Sequence, residues 1–193
     1  MRLYCATGNA GKLREFRLAA AHAPVEIELL PGFRTIPACV EDGVTFEENA
    51  FRKARHYGPH APGPLFADDS GLEVDALGGA PGVWSARFAG PDSTDEANNR
   101  LLLEKMHGVA NRAARFSCAI ALVEGERVCG VYRGAVEGMI LDRPRGAGGF
   151  GYDPLFYCPG LGCTFGEAGE EQKFSISHRG QALLAMLRAL RLR

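Results

Sequence analysis

The sequence lacks an excess of charge of either sign. Its 193 residues include 22 lysines and arginines and 23 aspartates and glutamates, which give a formal net charge of −1. A broad nucleic-acid-binding surface requires a surplus of basic side chains, so we expect no nucleic-acid partner. A pocket for a small anionic ligand requires only a few local cations, and the composition leaves that class of function open.

The sequence also lacks a long apolar run. No segment approaches the roughly 18 consecutive apolar residues of a membrane-spanning helix. The N-terminal stretch 2–6 is followed at once by the polar Thr7, so it is too short for the apolar region of a signal peptide. We therefore expect a protein of the cytoplasm without a membrane partner, and a hydrophobic content of 46% suits a packed globular core.

Cysteine pairs typical of metal sites are absent. The six cysteines form no Cys-x-x-Cys motif, and no histidine lies at zinc-finger spacing from them. Cys158 and Cys163 could approach each other across a loop, but we expect buried or free thiols.

Repeats, low-complexity segments and long linkers are lacking too, so residues 1–193 are predicted to form a single domain.

Apolar periodicity predicts the secondary structure. Helices are predicted over 10–23, 45–57, 95–107 and 178–192, and strands over 2–6, 25–30, 65–67, 115–124 and 127–141. Thr45 with Glu48, and Ser93 with Glu96, fit the capping box of a helix N-terminus. Helices and strands alternate early and an antiparallel strand pair follows, which predicts the α/β class with a mixed sheet and flanking helices.

The first segment that could carry chemistry lies where the first strand turns into the first helix. It reads Thr7-Gly8-Asn9-Ala10-Gly11-Lys12. A helix N-terminus presents unpaired N–H groups and a partial positive charge to an anion, and Lys12 adds a mobile charge. The segment is not a P-loop, which would need Gly in place of Ala6 and Ser or Thr in place of Leu13. It fits a phosphate site or an ordinary helix capped by Asn9.

The second segment, Asp68-Asp69-Ser70-Gly71, follows the short apolar strand 65–67. Burying two carboxylates without compensation is costly, and neighbouring side chains of a strand point to opposite faces. We therefore expect one of the two carboxylates to reach a given site. Mg²⁺ binds one or two carboxylates together with substrate phosphates and water, so the segment fits a magnesium site or an Asp-rich turn.

Two later segments add aromatic and cationic side chains. Phe150 and Tyr152 stand among glycines, where they could stack on a flat ring or anchor the core. His178 and Arg179 fall in the first turn of the last helix, where the helix dipole disfavours cations unless an anion binds nearby. The alternative for His178 and Arg179 is that both side chains are exposed to solvent. Together with Lys173, the four segments supply phosphate ligands, a metal carboxylate, aromatic rings for stacking and a second group of cations, which are the parts of a nucleotide site.

Six motifs then carry a resemblance that spans nearly the whole chain. In these motifs the sequence resembles the inosine triphosphate pyrophosphatases, also called non-standard purine NTP pyrophosphatases. The motifs are Thr7-Gly8-Asn9-x-x-Lys12, Thr45-Phe46-x-Glu48-Asn49-Ala50, Ala67-Asp68-Asp69-Ser70-Gly71-Leu72, Gly79-Ala80-Pro81-Gly82-Val83-x-Ser85-Ala86-Arg87, Gly148-Gly149-Phe150-Gly151-Tyr152-Asp153-Pro154 and Lys173-x-x-x-Ser177-His178-Arg179-Gly180.

The resemblance implies an activity and an architecture. It implies hydrolysis of dITP, ITP and XTP to the monophosphate and pyrophosphate, which removes deaminated purines from the nucleotide pool. It also implies Mg²⁺ as cofactor and a homodimer of elongated, two-lobed α/β subunits with a central substrate cleft.

The resemblance further implies roles for individual residues. It places the triphosphate against residues 7–12, makes Asp69 the general base and a metal ligand, and places Ser70 at the substrate. The second metal carboxylate of the family usually stands where this chain has Val40, so Glu41 is predicted to take that role, with Asp68 as the alternative. The base and nearby groups would be held by Phe150, Gly151, Tyr152, Asp153, Lys173, His178 and Arg179.

Two other functions stay open. A nucleotide pyrophosphatase of the septum-formation type has a similar architecture but prefers modified pyrimidines or other bases, and the His178-Arg179 pair favours the purine alternative. A nucleotide sensor would bind a triphosphate without hydrolysis. Retention of Asp69, Lys12 and Lys173 disfavours a sensor, because binding alone would tolerate loss of the base.

Overall fold

A computed structural model describes residues 1–191, in which seven strands form one mixed sheet of order β2-β1-β3-β4-β5-β6-β7. Strand β1 pairs in parallel with both β2 and β3, whereas β6 pairs antiparallel with β5 and β7. The strands are β1 (Arg2–Cys5), β2 (Glu26–Leu29), β3 (Leu65–Val74), β4 (Ala113–Glu124), β5 (Arg127–Ile140), β6 (Phe156–Cys158) and β7 (Cys163–Thr164).

Five α-helices accompany the sheet within residues 1–191, and the predicted α/β class with a mixed sheet and flanking helices is confirmed. They are α1 (Ala10–Ala19), α2 (Phe46–Tyr57), α3 (Asp95–Lys105), α4 (Glu170–Ile176) and α5 (His178–Arg191). The last helix was predicted to reach Leu192, which lies outside the described residues, as does the predicted domain end at 193. None of the described helices is long and apolar enough to cross a membrane.

The chain forms two compact units, each with its own hydrophobic core. Unit 1 contains residues 1–69 and 118–134 together with α5, and unit 2 contains residues 70–117 and 135–177. The prediction of a single domain with a central cleft stays a prediction.

The core of unit 1 fixes the direction in which the two adjacent aspartates point. Phe66 of β3 packs edge-on against Phe16 of α1, with ring centroids 5.1 Å apart. Side chains alternate along a strand, so Asp68 shares the face of Phe66 and Asp69 lies on the opposite face. The same core includes Leu3, Cys5, Ile27, Cys118, Ile120, Leu122, Ala182, Leu183, Met186 and Leu187.

The core of unit 2 holds the aromatic segment that follows the second glycine-rich loop. Phe116 of β4 packs on Phe156, with ring centroids 4.6 Å apart, and stacks on Phe165 at 5.8 Å. Tyr152 is buried in this core and donates its hydroxyl hydrogen to the backbone oxygen of Ser85, 2.8 Å away. Tyr152 is therefore a core anchor, which was one of the two roles considered for the aromatic pair.

Several predicted boundaries were wrong. Helix α1 ends at Ala19 instead of residue 23, because the N–H groups of Ala21 and Ala23 bond to carbonyls three residues back, Leu18 and Ala20, in tighter turns than those of an α-helix. Helix α3 is capped by Thr94, whose hydroxyl accepts the N–H of Ala97, so the predicted Ser93 cap was one residue early. Thr45 does cap α2, as predicted.

Strand β3 is the largest departure from the sequence-based secondary structure. It was predicted to end at Ala67, but it continues to Val74, so Asp68, Asp69 and Ser70 lie inside it. The Asp-rich turn is thereby excluded, because extended backbone in a sheet leaves no place for an Asx turn. Helix α4 and the short strands β6 and β7 were not predicted, because each is too short to show a period.

All six cysteines are free thiols, as expected. Cys158 and Cys163 stand directly opposite each other in the β6–β7 register. Burial raises the pKa of the Cys5 and Cys118 thiols, which makes them poor nucleophiles.

Gly134 of β5 allows α5 to approach the sheet of unit 1 closely. A Cβ at this position would meet the backbone oxygen of His178 and the backbone nitrogen of Ala182. Backbone atoms of a packed helix cannot move aside as a flexible side chain can. We predict that Gly134→Ala lowers the free energy of unfolding by about 1–3 kcal/mol, measured by urea denaturation.

Gly63→Ala is the matched control for this variant. Its Cβ would meet the ring of Tyr4 at 3.5 Å or more, an ordinary van der Waals contact. We expect its stability to remain near that of the wild type. Equal stability of Gly134→Ala and wild type would contradict the close approach.

Candidate functional site

Asp68 and Lys12 form a buried ion pair on one face of β3. The Lys12 Nζ lies 2.8 Å from Asp68 Oδ2, and the Asp68 side chain is almost fully buried. Burial alone would raise the pKa of Asp68, but the charges of Lys12, Lys53 and Arg179 outweigh burial and hold that pKa below its usual value. Asp68 is therefore an anion whose role includes holding the Lys12 ammonium.

Asp69 has different partners on the other face of β3. Its Oδ2 accepts a hydrogen bond from Asn49 Nδ2 at 3.0 Å, and its Oδ1 lies 3.6 Å from Lys53 Nζ. Asn49 also accepts the N–H of Gly43 through its Oδ1, at 2.8 Å. Asn49 of α2 thus fixes the Asp69 carboxylate and also holds Gly43, in the loop before that helix, close to it.

The pKa of Asp69 is shifted in the opposite direction to that of Asp68. Burial raises the pKa of Asp69 above its usual value, and the charges of Lys53 and Lys12 oppose burial without cancelling it. The two adjacent carboxyl groups therefore have pKa values shifted in opposite directions, and such a difference suits them to different chemical roles. Asp69 is the more basic of the two.

Lys53 is the cation shared by the acidic side chains of this cluster. Its Nζ lies 2.8 Å from Glu41 Oε2 and 3.6 Å from Asp69 Oδ1, and its side chain is buried. Burial lowers the pKa of Lys53, but the negative charges of Asp69, Asp68 and Glu41 outweigh burial and raise it. Two carboxylates, Glu41 and Asp69, therefore converge on a single positive charge.

This convergence fits a hard divalent cation. Mg²⁺ is usually held by one or two protein carboxylates, with substrate phosphates and water completing the shell. Among the described residues no group of three or more His, Cys, Asp or Glu side chains is placed to form an all-protein metal cage. A shared site of Asp69 and Glu41 matches the magnesium pattern, whereas Asp68 directs its Oδ2 to Lys12.

A second buried ion pair of unit 1 connects α1 to α5. Arg179 Nη1 donates to Glu15 Oε2 at 2.6 Å, and both side chains are buried. His178, the first residue of α5, is also buried. The alternative of exposed His178 and Arg179 side chains is therefore wrong.

The strand-to-helix turn before α1 has the predicted conformation. Asn9 caps the helix, with its Oδ1 accepting the N–H of Lys12 at 3.1 Å, and the hydroxyl of Thr7 accepts the N–H of Asn9 at 3.2 Å. Gly8 and Asn9 are exposed. Contact of residues 7–12 with a phosphate stays a prediction, and the geometry of an open helix N-terminus is compatible with it.

A separate cluster in unit 2 joins Lys173 to the aromatic segment. Lys173 Nζ lies 2.6 Å from Asp153 Oδ2, and both side chains are buried. The same Asp153 oxygen accepts the N–H of Phe150 at 2.9 Å. The Lys173 ammonium also lies 5.2 Å from the centroids of the Phe150 and Phe165 rings, within cation–π range.

The structure therefore brings the predicted site residues together in two groups, one per unit. Unit 1 contains Lys12, Asp69, Glu41 and Arg179. In unit 2 Phe150 contacts the buried Asp153–Lys173 pair, whereas Gly151 and Tyr152 have other partners. Ser70 follows Asp69 within β3. Their individual roles stay predictions.

Three residues of the cluster in unit 1 were missed by the sequence analysis: Asn49, Lys53 and Glu15. Asn49 and Lys53 are four residues apart on α2 and are buried with its apolar side chains Phe46, Ala50, Ala54 and Tyr57. Polar residues on the apolar face of an amphipathic helix are a sequence signal that would have found them.

Comparison with known proteins places this geometry in a family context. Residues 3–189 match the model of the Ham1 family. A dITP/XTP pyrophosphatase of Syntrophobacter fumaroxidans is 51% identical over 96% of this chain and 80% of the relative. The dITP/XTP pyrophosphatase of an Exiguobacterium strain is 50% identical over 95% of this chain and 93% of the relative.

Solved structures show the same similarity. A Ham1 protein from Coxiella burnetii has a TM-score of 0.89 at 38% identity and covers 100% of both chains. The Ham1 protein of Staphylococcus aureus has a TM-score of 0.87 at 37% identity, covering 99% of this chain and 98% of its own.

The Glu15–Arg179 pair yields a stability prediction. Glu15→Gln keeps the shape of the side chain but removes the charge that faces a buried guanidinium. We predict a loss of about 3 kcal/mol in the free energy of unfolding at neutral pH, measured by urea denaturation.

Glu26→Gln provides the control, because Glu26 pairs with Arg2 across an exposed contact of 3.4 Å. Exposed ion pairs contribute little, so we expect no measurable change in its unfolding midpoint. Equal effects of the two substitutions would show that burial of the Glu15–Arg179 pair has no energetic consequence.

Proposed function

The chain belongs to the Ham1 family, and we propose that it hydrolyses dITP, ITP and XTP to the nucleoside monophosphate and pyrophosphate, with Mg²⁺ as cofactor. The family predicted from the six sequence motifs is thereby confirmed. The relatives named dITP/XTP pyrophosphatases support the enzyme class, and the match to the Ham1 family favours this function over the septum-formation alternative.

One observation carries the chemical part of the proposal. Asp69 is a buried carboxylate that Asn49 holds through a 3.0 Å hydrogen bond, and it lies 3.6 Å from a buried lysine, Lys53. A carboxylate in a fixed position can accept a proton from water, and nearby ammonium groups attract phosphate. A base and phosphate-binding cations are the parts that hydrolysis of a triphosphate requires.

In the proposed reaction a water molecule attacks the α-phosphorus of the nucleotide. Asp69 accepts a hydrogen bond from this water and takes its proton as the new P–O bond forms. The bond between the α-phosphorus and the bridging oxygen breaks, and pyrophosphate leaves with that oxygen. Lys12 and Lys53 stabilise the negative charge of the phosphates, and Asp68 and Glu41 hold these ammonium groups in place.

Asp69 and Glu41 would hold the magnesium ion. When bound, the ion would neutralise phosphate oxygens and lower the barrier to displacement of pyrophosphate. The structure favours Glu41 over Asp68 for the second ligand, because Glu41 and Asp69 approach the same ammonium group.

Selection of the base would rest on residues with fixed positions. Lys173 and Arg179 are each held by a buried carboxylate, Asp153 and Glu15 respectively. Donors directed at the 6-oxo group of hypoxanthine or xanthine would stay unpaired or clash when adenine presents an amino group there.

Two further parts of the proposal are a homodimer, which follows from the resemblance, and a location in the cytoplasm, which follows from the composition.

Release of pyrophosphate from dITP, XTP, dGTP, dATP and dUTP tests the proposed function. We expect kcat/KM for dITP and XTP to exceed that for the other three nucleotides by at least about 100-fold. Asp69→Asn is the control within the assay, since it should retain nucleotide binding and lose turnover by about 100-fold or more. Equal rates on dITP and dGTP would contradict the proposal.

A titration with MgCl₂ tests the metal ligands. We expect Glu41→Gln to raise the Mg²⁺ concentration for half-maximal activity at least about tenfold, because the affinity of such sites follows the number of charged ligands. The adjacent Asp42→Asn is the control, since Asp42 is exposed and pairs with Arg52. An unchanged requirement in Glu41→Gln, with a raised one in Asp68→Asn, would reverse the assignment.

A further inference from the structure

Two side chains of α3 hold the backbone of Gly151, in the middle of the segment 150–153. Asp95 Oδ2 accepts the backbone N–H of Gly151 at 2.6 Å, and Asn99 Nδ2 donates to the backbone oxygen of Gly151 at 3.0 Å. Asp95 and Asn99 are four residues apart, so they lie on one face of the helix, one turn from each other. A single helix face therefore takes both polar backbone groups of Gly151.

The two hydrogen bonds act on the part of the segment that the core does not enclose, because Tyr152 and Asp153 are buried whereas Phe150 and Gly151 are partly exposed. Residues 142–149, which lead into it, are exposed. Gly151 has a φ of +61°, in the left-handed region where glycine is tolerated and its backbone is least restricted. A pocket of about 480 Å³ lies between α3 and the segment, so close packing does not fill this side.

The backbone conformation at Gly151 sets the relative orientation of Phe150 and Asp153, two residues of the proposed base site. The N–H of Phe150 and the ammonium of Lys173 meet at one oxygen of Asp153. Phe150 and Asp153 stand on either side of Gly151 in the sequence. Rotation of the peptide groups at Gly151 would change the distance and angle between the Phe150 ring and the Asp153 carboxylate.

The contact to Gly151 fixes the orientation of the Asn99 amide. Its Nδ2 faces the backbone oxygen of Gly151. Exchanging Oδ1 and Nδ2 would place two acceptors against each other at Gly151. Asn99 therefore supplies a donor, and Asp95 an acceptor, to the two polar backbone groups of one residue.

We propose that Asp95 and Asn99 are positioning residues for base recognition. By holding both polar groups of Gly151, they fix the Phe150 ring and the Asp153 carboxylate in the orientation that receives the purine. This role rests on the proposed function, because it requires Phe150 and Asp153 to contact the base of the substrate.

Steady-state kinetics with dITP test the role of the two residues. We expect Asp95→Ala and Asn99→Leu each to raise KM about tenfold, because each loses a hydrogen bond that orients the base site. Because Asp69 and the phosphate-binding lysines are unchanged, kcat should stay within about threefold of the wild type. Asp95→Asn keeps an acceptor for the Gly151 N–H and should restore KM to within about threefold of the wild-type value.

Arg100→Ala is the matched control, because Arg100 is an exposed residue of the same helix that lines the same pocket. Its KM and kcat should equal those of the wild type. Amide hydrogen exchange without substrate gives an independent readout. We expect exchange in segment 148–153 to become faster in Asp95→Ala and Asn99→Leu, and to stay unchanged in Arg100→Ala.

The outcomes separate this role from the proposed function. An active wild type whose KM is unaffected in both Asp95→Ala and Asn99→Leu would overturn the positioning role alone. That role is likewise overturned if Asp95→Asn raises KM as much as Asp95→Ala, or if the variants lose kcat at constant KM. A wild type without activity on dITP and XTP would overturn the proposed function and the positioning role together, whatever the exchange data show about the hold on Gly151.

Discussion

The burial of two adjacent carboxylates within one strand is the constraint on which the unit-1 site depends. Asp68 and Asp69 both lie inside β3 and are both buried. A buried charge without a partner is very unfavourable, and strand geometry sends the two side chains to opposite faces. Neither lysine is in close contact with both carboxylates: Lys12 of α1 pairs with Asp68 at 2.8 Å, and Lys53 of α2 lies 3.6 Å from Asp69. The placement of both helices is thus linked to the charge of β3.

This arrangement also explains how two identical side chains acquire different properties. Asp68 is paired closely enough for surrounding cations to outweigh burial, and its pKa is lowered. Asp69 lies farther from its lysine and has an amide as its hydrogen-bond donor, so burial dominates and its pKa is raised. One carboxylate is suited to holding an ammonium group, and the other is suited to accepting a proton.

The sequence predicted the α/β class, the turn before α1 and the cap at Thr45, because these depend on periodicity and on residues close together in the chain. The sequence-based prediction was wrong or incomplete where a residue far away in the chain determines the local structure or the site. Polar residues after Ala67 indicated the end of a strand, but the pairing of Asp68 with Lys12 allows β3 to continue. Lys53 was missed for the same reason, since only the fold brings it to Glu41 and Asp69.

The buried ion pairs Glu15–Arg179 and Asp153–Lys173 fix two cations that the proposed function assigns to the base. Buried pairs are often no more stabilising than apolar residues of similar size, so stability gives a weak reason for Glu15–Arg179 and Asp153–Lys173. Each pair fixes a long, flexible cation within its own unit before any ligand arrives. The entropy of ordering these side chains is then lost on folding instead of on binding. Under the proposed function, a donor fixed in this way could not turn to accommodate a base with the wrong pattern of donors and acceptors, so rigidity as well as contact would reject such a base.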